Sequence, residues 1–269
     1  MLILTYAASV GLPFPHVAMV TPYARHRPRA EALWLDSGGF AWLKGRRPPA
    51  ADALCKLCEE LGAEVCFAPD YPPRPSEDVY TYIALELKGL AEAAEAPCGL
   101  APVVHIHPSR AAFSAVLRLA ARLAERRGTP LGLGGAVPAL KRHMYGAVAD
   151  ALSRALEAHG RVHLFGAGSP TTIRSLGLPR RGVTADWAGW TRKAAVGKVA
   201  LPWGGERVVA GRPRGRRATR EELEALRRWL ASRGYGPPPL DEFIRQLAED
   251  FKTRAAVNAY VALALAGSI

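Results

Sequence analysis

The sequence predicts an α/β fold: a (β/α)8 barrel of the TIM type, followed by a basic linker and C-terminal helices. Three observations predict it. Short β-rich runs recur along the chain, several ending in Gly, Asp, Ser or Pro. From the third run onward most are separated by Ala/Leu/Arg/Glu stretches of helical length. A length of 269 residues with 49% hydrophobic content suits one barrel with a small appendage. Residues 1–205 are read as the barrel, and residues 206–269 as the basic linker with helices packed on it.

Strands are expected at Leu2–Tyr6, His16–Thr21, Ala32–Leu35, Glu64–Ala68, Pro102–Ile106, Leu131–Gly134, Arg161–Phe165 and Gly182–Ala185. The link from residue 7 to 15 is too short for a crossover helix, so the first two strands are expected to form a hairpin-like feature. Helices are expected at residues 50–61, 77–95, 110–127, 139–159 and 170–176. In the third, Phe113, Val116, Leu117, Ala120 and Leu123 recur at helical spacing, giving a face that can cover a barrel. Beyond the eighth strand, Arg207 to Arg220 carries six arginines and no acidic residue, punctuated by Gly211, Pro213 and Gly215, and reads as a basic loop. Thr219 with Glu222 three residues later is a capping signal for a helix to about Ser232, and a second helix is expected from Leu240 to Leu265.

Charge narrows the partner class. Lys and Arg total 36 against 24 Asp and Glu, a net charge of +12, which favours polyanions and nucleic acid above all. Like charges in one loop repel unless something anionic neutralises them, so phosphate contact is the role expected for Arg207, Arg212, Arg214, Arg216, Arg217 and Arg220. Asn258 and Gln246 are the only side-chain amides, and Arg outnumbers Lys 29 to 7, a composition of proteins selected at high temperature. The N-terminal MLILTYAASVGLPFP has no basic region ahead of its apolar run and reads as a strand. The apolar run Ala255–Ile269 is too short to span a bilayer. A cytoplasmic protein with no membrane partner is expected. Cys55, Cys58, Cys66 and Cys98 then require no disulfide framework, and the Cys55/Cys58 pair is read as buried helix cysteines.

Functional residues of a βα barrel sit at the C-terminal ends of its strands. Here strand three ends in Asp36-Ser37-Gly38-Gly39-Phe40, strand four in Pro69-Asp70, and strand five in His105-Ile106-His107-Pro108. Strand six ends in Gly132-Leu133-Gly134-Gly135, strand seven in Phe165-Gly166-Ala167-Gly168, and strand eight in Asp186-Trp187. Three carboxylates and several glycines therefore converge on one mouth. Paired carboxylates permit nucleophile and acid/base roles, and glycines let a flat ligand approach the backbone.

The order of these elements, from Leu33 to Trp190, resembles the tRNA-guanine transglycosylase superfamily, including its DNA-modifying branch that inserts 7-deazaguanine bases. The most specific match is Leu35-Asp36-Ser37-Gly38-Gly39-Phe40. The resemblance implies that Asp186 is the nucleophile toward the sugar C1′, that Asp36 is the general acid or base, and that Asp70 accepts hydrogen bonds from a guanine-like edge. It also implies that Phe40 and Phe165 sandwich the base and that Gly134 and Gly135 offer backbone N–H groups to its carbonyl. His107 falls near the family's base-reading glutamine. The implied activity is exchange of guanine in nucleic acid for a 7-deazaguanine, without ATP or a redox cofactor. Trp187 and Trp190, beside Arg192 and Lys193, suit either packing or a splayed nucleic-acid strand.

The tRNA enzymes of that family hold a zinc ion with three cysteines and a histidine. No cysteine follows Cys98 here, and Val257, within Arg254–Tyr260, stands where the histidine would be, so no metal is expected. With the chain ending at Ile269, the extra RNA-binding domains of the archaeal enzymes have no counterpart, and DNA is expected slightly ahead of tRNA as substrate. Several tRNA-modifying relatives are dimers, and a homodimer is carried as an expectation. Two other readings stand beside this one. His105 and His107, at i and i+2 with His163 and Asp186, sketch a metal-dependent barrel hydrolase. The arginines and tryptophans alone would suit a non-catalytic nucleic-acid-binding barrel, although such a protein gains nothing from acidic groups at its mouth.

Overall fold

Short strands that are apolar on both faces are what a parallel sheet covered inside and outside requires. The computed structural model of the chain has that architecture. It describes residues 1–269 apart from 7–9, 25–26, 75–76, 179 and 213, so part of the 7–15 link and Pro213 of the basic run lie outside the described residues. The barrel strands are β1 (Leu2–Thr5), β2 (Val17–Val20), β3 (Ala32–Leu35), β4 (Val65–Cys66), β5 (Val103–His105), β6 (Leu131–Gly134), β7 (Val162–Leu164) and β8 (Val183–Trp187). They pair in the order β4-β3-β2-β1-β8-β7-β6-β5, all parallel. The ends of the sheet meet where Phe67 bridges Ala101, with the Ala68 N–H donating to the Ala101 carbonyl at 2.9 Å. The result is a (β/α)8-like barrel.

The helices are α1 (Ala51–Leu61), α2 (Val79–Glu95), α3 (Arg110–Arg127), α4 (Ala136–Lys141), α5 (Tyr145–His159), α6 (Pro170–Ser175) and α7 (Gly189–Ala195), then α8 (Arg220–Ala231), α9 (Leu240–Glu249) and α10 (Phe251–Leu265). Inside the barrel Ile3, Met19, Trp34, Phe67, Ala101 and Val103 form a small core, with Phe165 against it. One residue along, side chains such as Leu4, Val20, Leu35, Val104, Leu133 and Leu164 join the larger core under the helices. This period of two decides which strand residues can face the mouth. Among the described residues no helix is long and apolar enough to cross a membrane.

Four local expectations are corrected. β1 and β2 are parallel, with Leu4 opposite Ala18, and do not form a hairpin. Four-residue strands are only about 13 Å long, so a link of this length can return without a helix. The 139–159 stretch divides between α4 and α5 because His143 takes a left-handed φ of 59°, its N–H and that of Met144 closing on the carbonyls of Leu140 and Ala139. The Leu240–Leu265 stretch breaks at Asp250, whose carboxylate accepts the Lys252 and Thr253 N–H groups at 2.9 and 2.8 Å and caps α10. The basic stretch is partly ordered: β9 (Lys198–Ala200) and β10 (Glu206–Val208) form an antiparallel hairpin that buries Val199 and Val208.

Among the described residues no helix lies between β1 and β2, and α10 packs against β1, α6, α7 and β9 from outside the barrel. Asn258 fixes it there. Its buried amide accepts the Ala200 N–H at 2.7 Å and donates to the carbonyls of Trp190 and Lys198 at 3.2 and 3.1 Å. A buried amide is tolerated only when its polar atoms are satisfied. Val257 on the same helix is fully buried.

The cysteine expectation is also corrected. Cys55 pairs with Cys98 and Cys58 with Cys66, at Cα separations of 5.7 and 6.2 Å. Helical spacing puts Cys55 and Cys58 on one side of α1, where one meets the segment leading into β5 and the other meets β4. Both disulfides therefore staple the seam at which a two-residue β4 closes the barrel. Loop closure predicts that Cys55→Ser/Cys98→Ser, which opens a separation of 43 residues, costs about 4 kcal/mol, and Cys58→Ser/Cys66→Ser, with a separation of 8, about 2.5 kcal/mol. Equilibrium unfolding of the two variants without reductant checks the order, and equal midpoints for all three proteins would refute the stapling role.

Candidate active site

Strand register brings Asp36, Asp70 and Asp186 to the C-terminal mouth of the barrel. Asp186 lies within β8, which runs two residues past the expected end at Ala185. Its carboxylate accepts the Thr5 hydroxyl at 2.5 Å and the Gly166 N–H at 2.6 Å. His163 Nε2 stands 3.4 Å from Oδ1, inside ion-pair reach but long for a hydrogen bond, and that nitrogen has no other partner. The His163 ring is fully buried, with Nδ1 2.9 Å from the Thr184 hydroxyl. Burial alone would raise the Asp186 carboxyl, but His163, Thr5 and Gly166 together outweigh it and hold the group below the ordinary carboxylate range.

Asp36 behaves oppositely. Burial, reinforced by the charges of Asp70 and Asp186, pushes its carboxyl up to about 8, with the Gly38 and Ser37 N–H groups opposing. The loop that follows shows why this residue order is needed. The buried Ser37 hydroxyl donates to Asp70 and accepts the Gly39 N–H at 3.3 Å. Gly38 takes a φ of 81°, which turns the chain into a short 3-10 helix, Gly39–Lys44. Asp70 lies where a Cβ on residue 39 would be, so only glycine fits there.

Asp70 has a second partner. Its Oδ2 is 3.2 Å from His105 Nε2, and His105 Nδ1 is 2.8 Å from Glu86 Oε1 on α2. Both carboxylates outweigh the effect of burial on the His105 imidazole and push it up to about 10. Burial in turn pushes the Glu86 carboxyl up against the pull of the same ring. The imidazole's direction is the one that holds for this proton-sharing pair, because both ring nitrogens face a carboxylate. Gly134 makes room: a Cβ there would overlap the His105 ring.

The remaining predicted residues are dispersed around this centre. Phe40 is 61% exposed on the rim, with Lys44 Nζ 5.1 Å from its ring centre. Phe165 is half-buried and packs edge-on against Phe67 and His163, at 4.7 and 4.6 Å. Gly135 caps α4. His107 stacks on Tyr82 at 4.2 Å and accepts the Ser109 N–H, so it does not converge with His105 on one point. Trp187 and Trp190 are core residues, Trp190 Nε1 donating to the Thr5 carbonyl at 3.1 Å. Among the described residues no group of three or more His, Cys, Asp or Glu side chains is arranged to hold a metal.

Several of the basic residues are already engaged. Lys193 pairs with Glu206, Arg207 and Arg216 share Glu222 at 2.8 and 3.3 Å, and Arg220 pairs with Asp241 at 2.7 Å. Arg217 donates to the Gly211 carbonyl. Arg192, Arg212 and Arg214 are exposed. A cleft of about 350 Å³ lies next to Asp186, at Gly166 and Trp187, and is bounded by Lys141, Tyr145, Ser169, Thr172 and the β9–β10 hairpin. A second cleft, about 320 Å³, lies among Phe14, Tyr235 and Tyr260, and none of the three aspartates lines either cleft.

Sequence reasoning misses Glu86 and Thr5 and names His105 and His163 only as metal ligands. A readable signal exists for Glu86, a lone acid on the helical face formed by Tyr82, Leu90 and Ala93. Neither a scan against protein-family models nor a search of curated proteins gives a match to this chain.

Because Asp36 has a folded-state pKa near 8, above its unfolded value of 3.8, the unfolded chain holds fewer protons between those limits. Stability therefore falls as pH rises from about 4 to 8, because the unfolded chain gives up this proton while the folded protein keeps it. Asp36→Asn removes that cost, and its Tm should exceed wild type by several degrees at pH 9, at roughly 2–4 °C per kcal/mol for a chain of this size, while nearly matching it at pH 4. Parallel melting curves at both pH values, with the same Tm difference in each, would refute the assignment.

Proposed function

We propose that this mouth exchanges a guanine in nucleic acid for a 7-deazaguanine base through a glycosyl-Asp186 intermediate. The observation that carries the reading is the contrast between two carboxyls at one mouth: Asp186 accepts from Thr5 and Gly166 with His163 beside it and is held as a carboxylate, whereas Asp36, crowded by Asp70 and Asp186, is held as an acid. In the first half-reaction an Asp186 oxygen bonds to the sugar C1′. The C1′–N9 bond breaks, its electron pair goes to guanine, and Asp36 gives the leaving base its proton. In the second, the incoming base gives its N9 proton to the Asp36 carboxylate and bonds to C1′, releasing Asp186. Two inversions retain configuration.

Each remaining group has a part in that reading. Asp70, with Ser37 and His105 donating to it, keeps lone pairs for the paired N–H groups of a guanine-type edge. Phe40 on the rim and Phe165 at the top of the barrel core offer stacking faces, worth about 1–3 kcal/mol per base. In a duplex the target nucleotide must leave the stack, at a cost of a few kcal/mol that exposed arginines can offset through phosphate contacts. The metal-hydrolase reading has less support, because both His105 nitrogens face carboxylates and His107 turns to Tyr82. A purely binding barrel leaves the buried carboxyls without a purpose.

The test is incubation with radiolabelled guanine and, separately, DNA and tRNA at high temperature. Label should enter one polymer. Asp186→Asn should abolish incorporation while nucleic-acid affinity stays within about twofold, since that carboxylate makes no phosphate contact. Incorporation at the wild-type rate by Asp186→Asn would remove it as nucleophile. The pH dependence has a definite sign: kcat/KM for the nucleic acid should be level below about 8 and fall about tenfold per unit above it, as Asp36 loses the proton it must donate. A rate that rises through pH 8 would assign Asp36 the opposite role.

The arginines separate by their partners. Arg212→Ala/Arg214→Ala should flatten the log Kd against log salt plot by about 0.9 for each duplex phosphate that is no longer neutralised. Arg207→Ala, which leaves Glu222 to the more exposed Arg216 and the Thr219 N–H, should lower Tm as well. An unchanged salt slope in the double variant would exclude that loop from the nucleic-acid interface.

A further inference from the structure

We propose that Glu86 and His105 form a positioning relay that fixes Asp70 as a pure acceptor toward the base edge, so that Glu86 governs which base is recognised and not the glycosyl transfer itself. The inference rests on the base-exchange reading. Its geometric basis is a continuous chain of buried contacts that the reaction steps at Asp186 and Asp36 leave unused. Glu86 Oε1 is 2.8 Å from His105 Nδ1, His105 Nε2 is 3.2 Å from Asp70 Oδ2, and the Ser37 hydroxyl donates to Asp70 Oδ1. Glu86 and His105 are 3% and 4% exposed, so solvent does not screen the chain. The backbone is tied in too: the His105 N–H donates to Glu86, and the Tyr82 hydroxyl donates to the His105 carbonyl at 2.8 Å.

Each link constrains the next. An imidazole between two carboxylates is best satisfied as a cation, both N–H groups donating. Burial opposes that charge, and Glu86 with Asp70 restores it. With Ser37 and His105 each donating to one Asp70 oxygen, the lone pairs left over on both oxygens are placed to accept from a base. A base offering two adjacent N–H donors, a ring imide beside an exocyclic amine, satisfies both. Hypoxanthine, which lacks the amine, leaves one buried lone pair unpaired, the situation in which polar sites discriminate most strongly. The groups facing His105 are Glu86 and Tyr82 from α2, Asp70 from the loop after β4 and Gly134 from β6, with Asp36 acting on Asp70 from the end of β3. Among the described residues no Lys or Arg pairs with Asp70 or Glu86, so His105 is the cation of the cluster.

Glu86→Gln removes the charge with little change of shape, and Glu86→Asp keeps it. Steady-state exchange should show KM for free guanine raised roughly tenfold or more in Glu86→Gln, the value of one charge-assisted hydrogen bond. Saturated kcat should stay within about threefold, and the preference for guanine over hypoxanthine should collapse. Glu86→Asp should recover part of that preference. A lowered kcat with KM and base preference unchanged would overturn the relay as a recognition device. A second measurement needs no turnover. In nitrogen-15 histidine spectra, assigned with His105→Gln, the wild-type His105 ring should remain protonated from pH 6 to 9, whereas in Glu86→Gln it should titrate inside that range. A wild-type ring that titrates near neutrality would show that the relay does not exist, even if exchange occurs. Absence of guanine incorporation by wild type would overturn the base-exchange reading and the recognition role together, and the spectra would still decide the relay.

Discussion

The rest of the structure depends on one constraint: three aspartates are brought together at one mouth where water reaches them only in part. Bare charges in such a place repel one another and lose hydration worth several kcal/mol each. The mouth resolves the problem three ways. Asp186 is stabilised as an anion by Thr5, Gly166 and His163. Asp70 is balanced by His105, which Glu86 balances in turn. Asp36, which has no cationic partner among the described residues, keeps its proton to about pH 8. The proposed division into a nucleophile, an acceptor and an acid rests on where the compensating groups sit, since the three side chains are chemically identical.

Holding that arrangement calls for a rigid frame, and the chain builds one from short elements. Strands of two to five residues give little ladder, so the seam between β4 and β5 relies on the Phe67–Ala101 bridge and on two disulfides reaching in from α1. On the opposite side α10, buried from Arg254 to Ala264 and pinned through Asn258, covers β1. Thr5 ends that strand and also holds the Asp186 carboxylate, so the C-terminal helix and the proposed nucleophile share one support.

The fold was legible because its signal is repetitive. Apolar runs at helical spacing, such as Phe113 to Leu123, and strand ends marked by Gly or Asp are local properties that survive in a single sequence. The three aspartates were legible for the same reason, since strand ends in a βα barrel point to one mouth. Long-range pairing was not. Which cysteine meets which depends on where α1 docks, and the arginine run looks like bare charge until Glu222 and Asp241 fold back onto it. Glu86 escaped for a related reason: its acid lies in the middle of a helix, and only the path of α2 across β5 brings it to His105. The left-handed His143 and the Asp250 break show that a helical pattern predicts helix content better than continuity.

The central claim is that Asp186 bonds to the sugar of a nucleic acid while Asp36 supplies the proton. Intact-protein mass spectrometry of a denaturant-quenched reaction tests this most directly. The expected species has the mass of protein plus the oligonucleotide less one guanine, and proteolysis places the linkage on the peptide that contains Asp186. A linkage on a different peptide, or exchange proceeding with no protein-bound strand at any quench time, would contradict it.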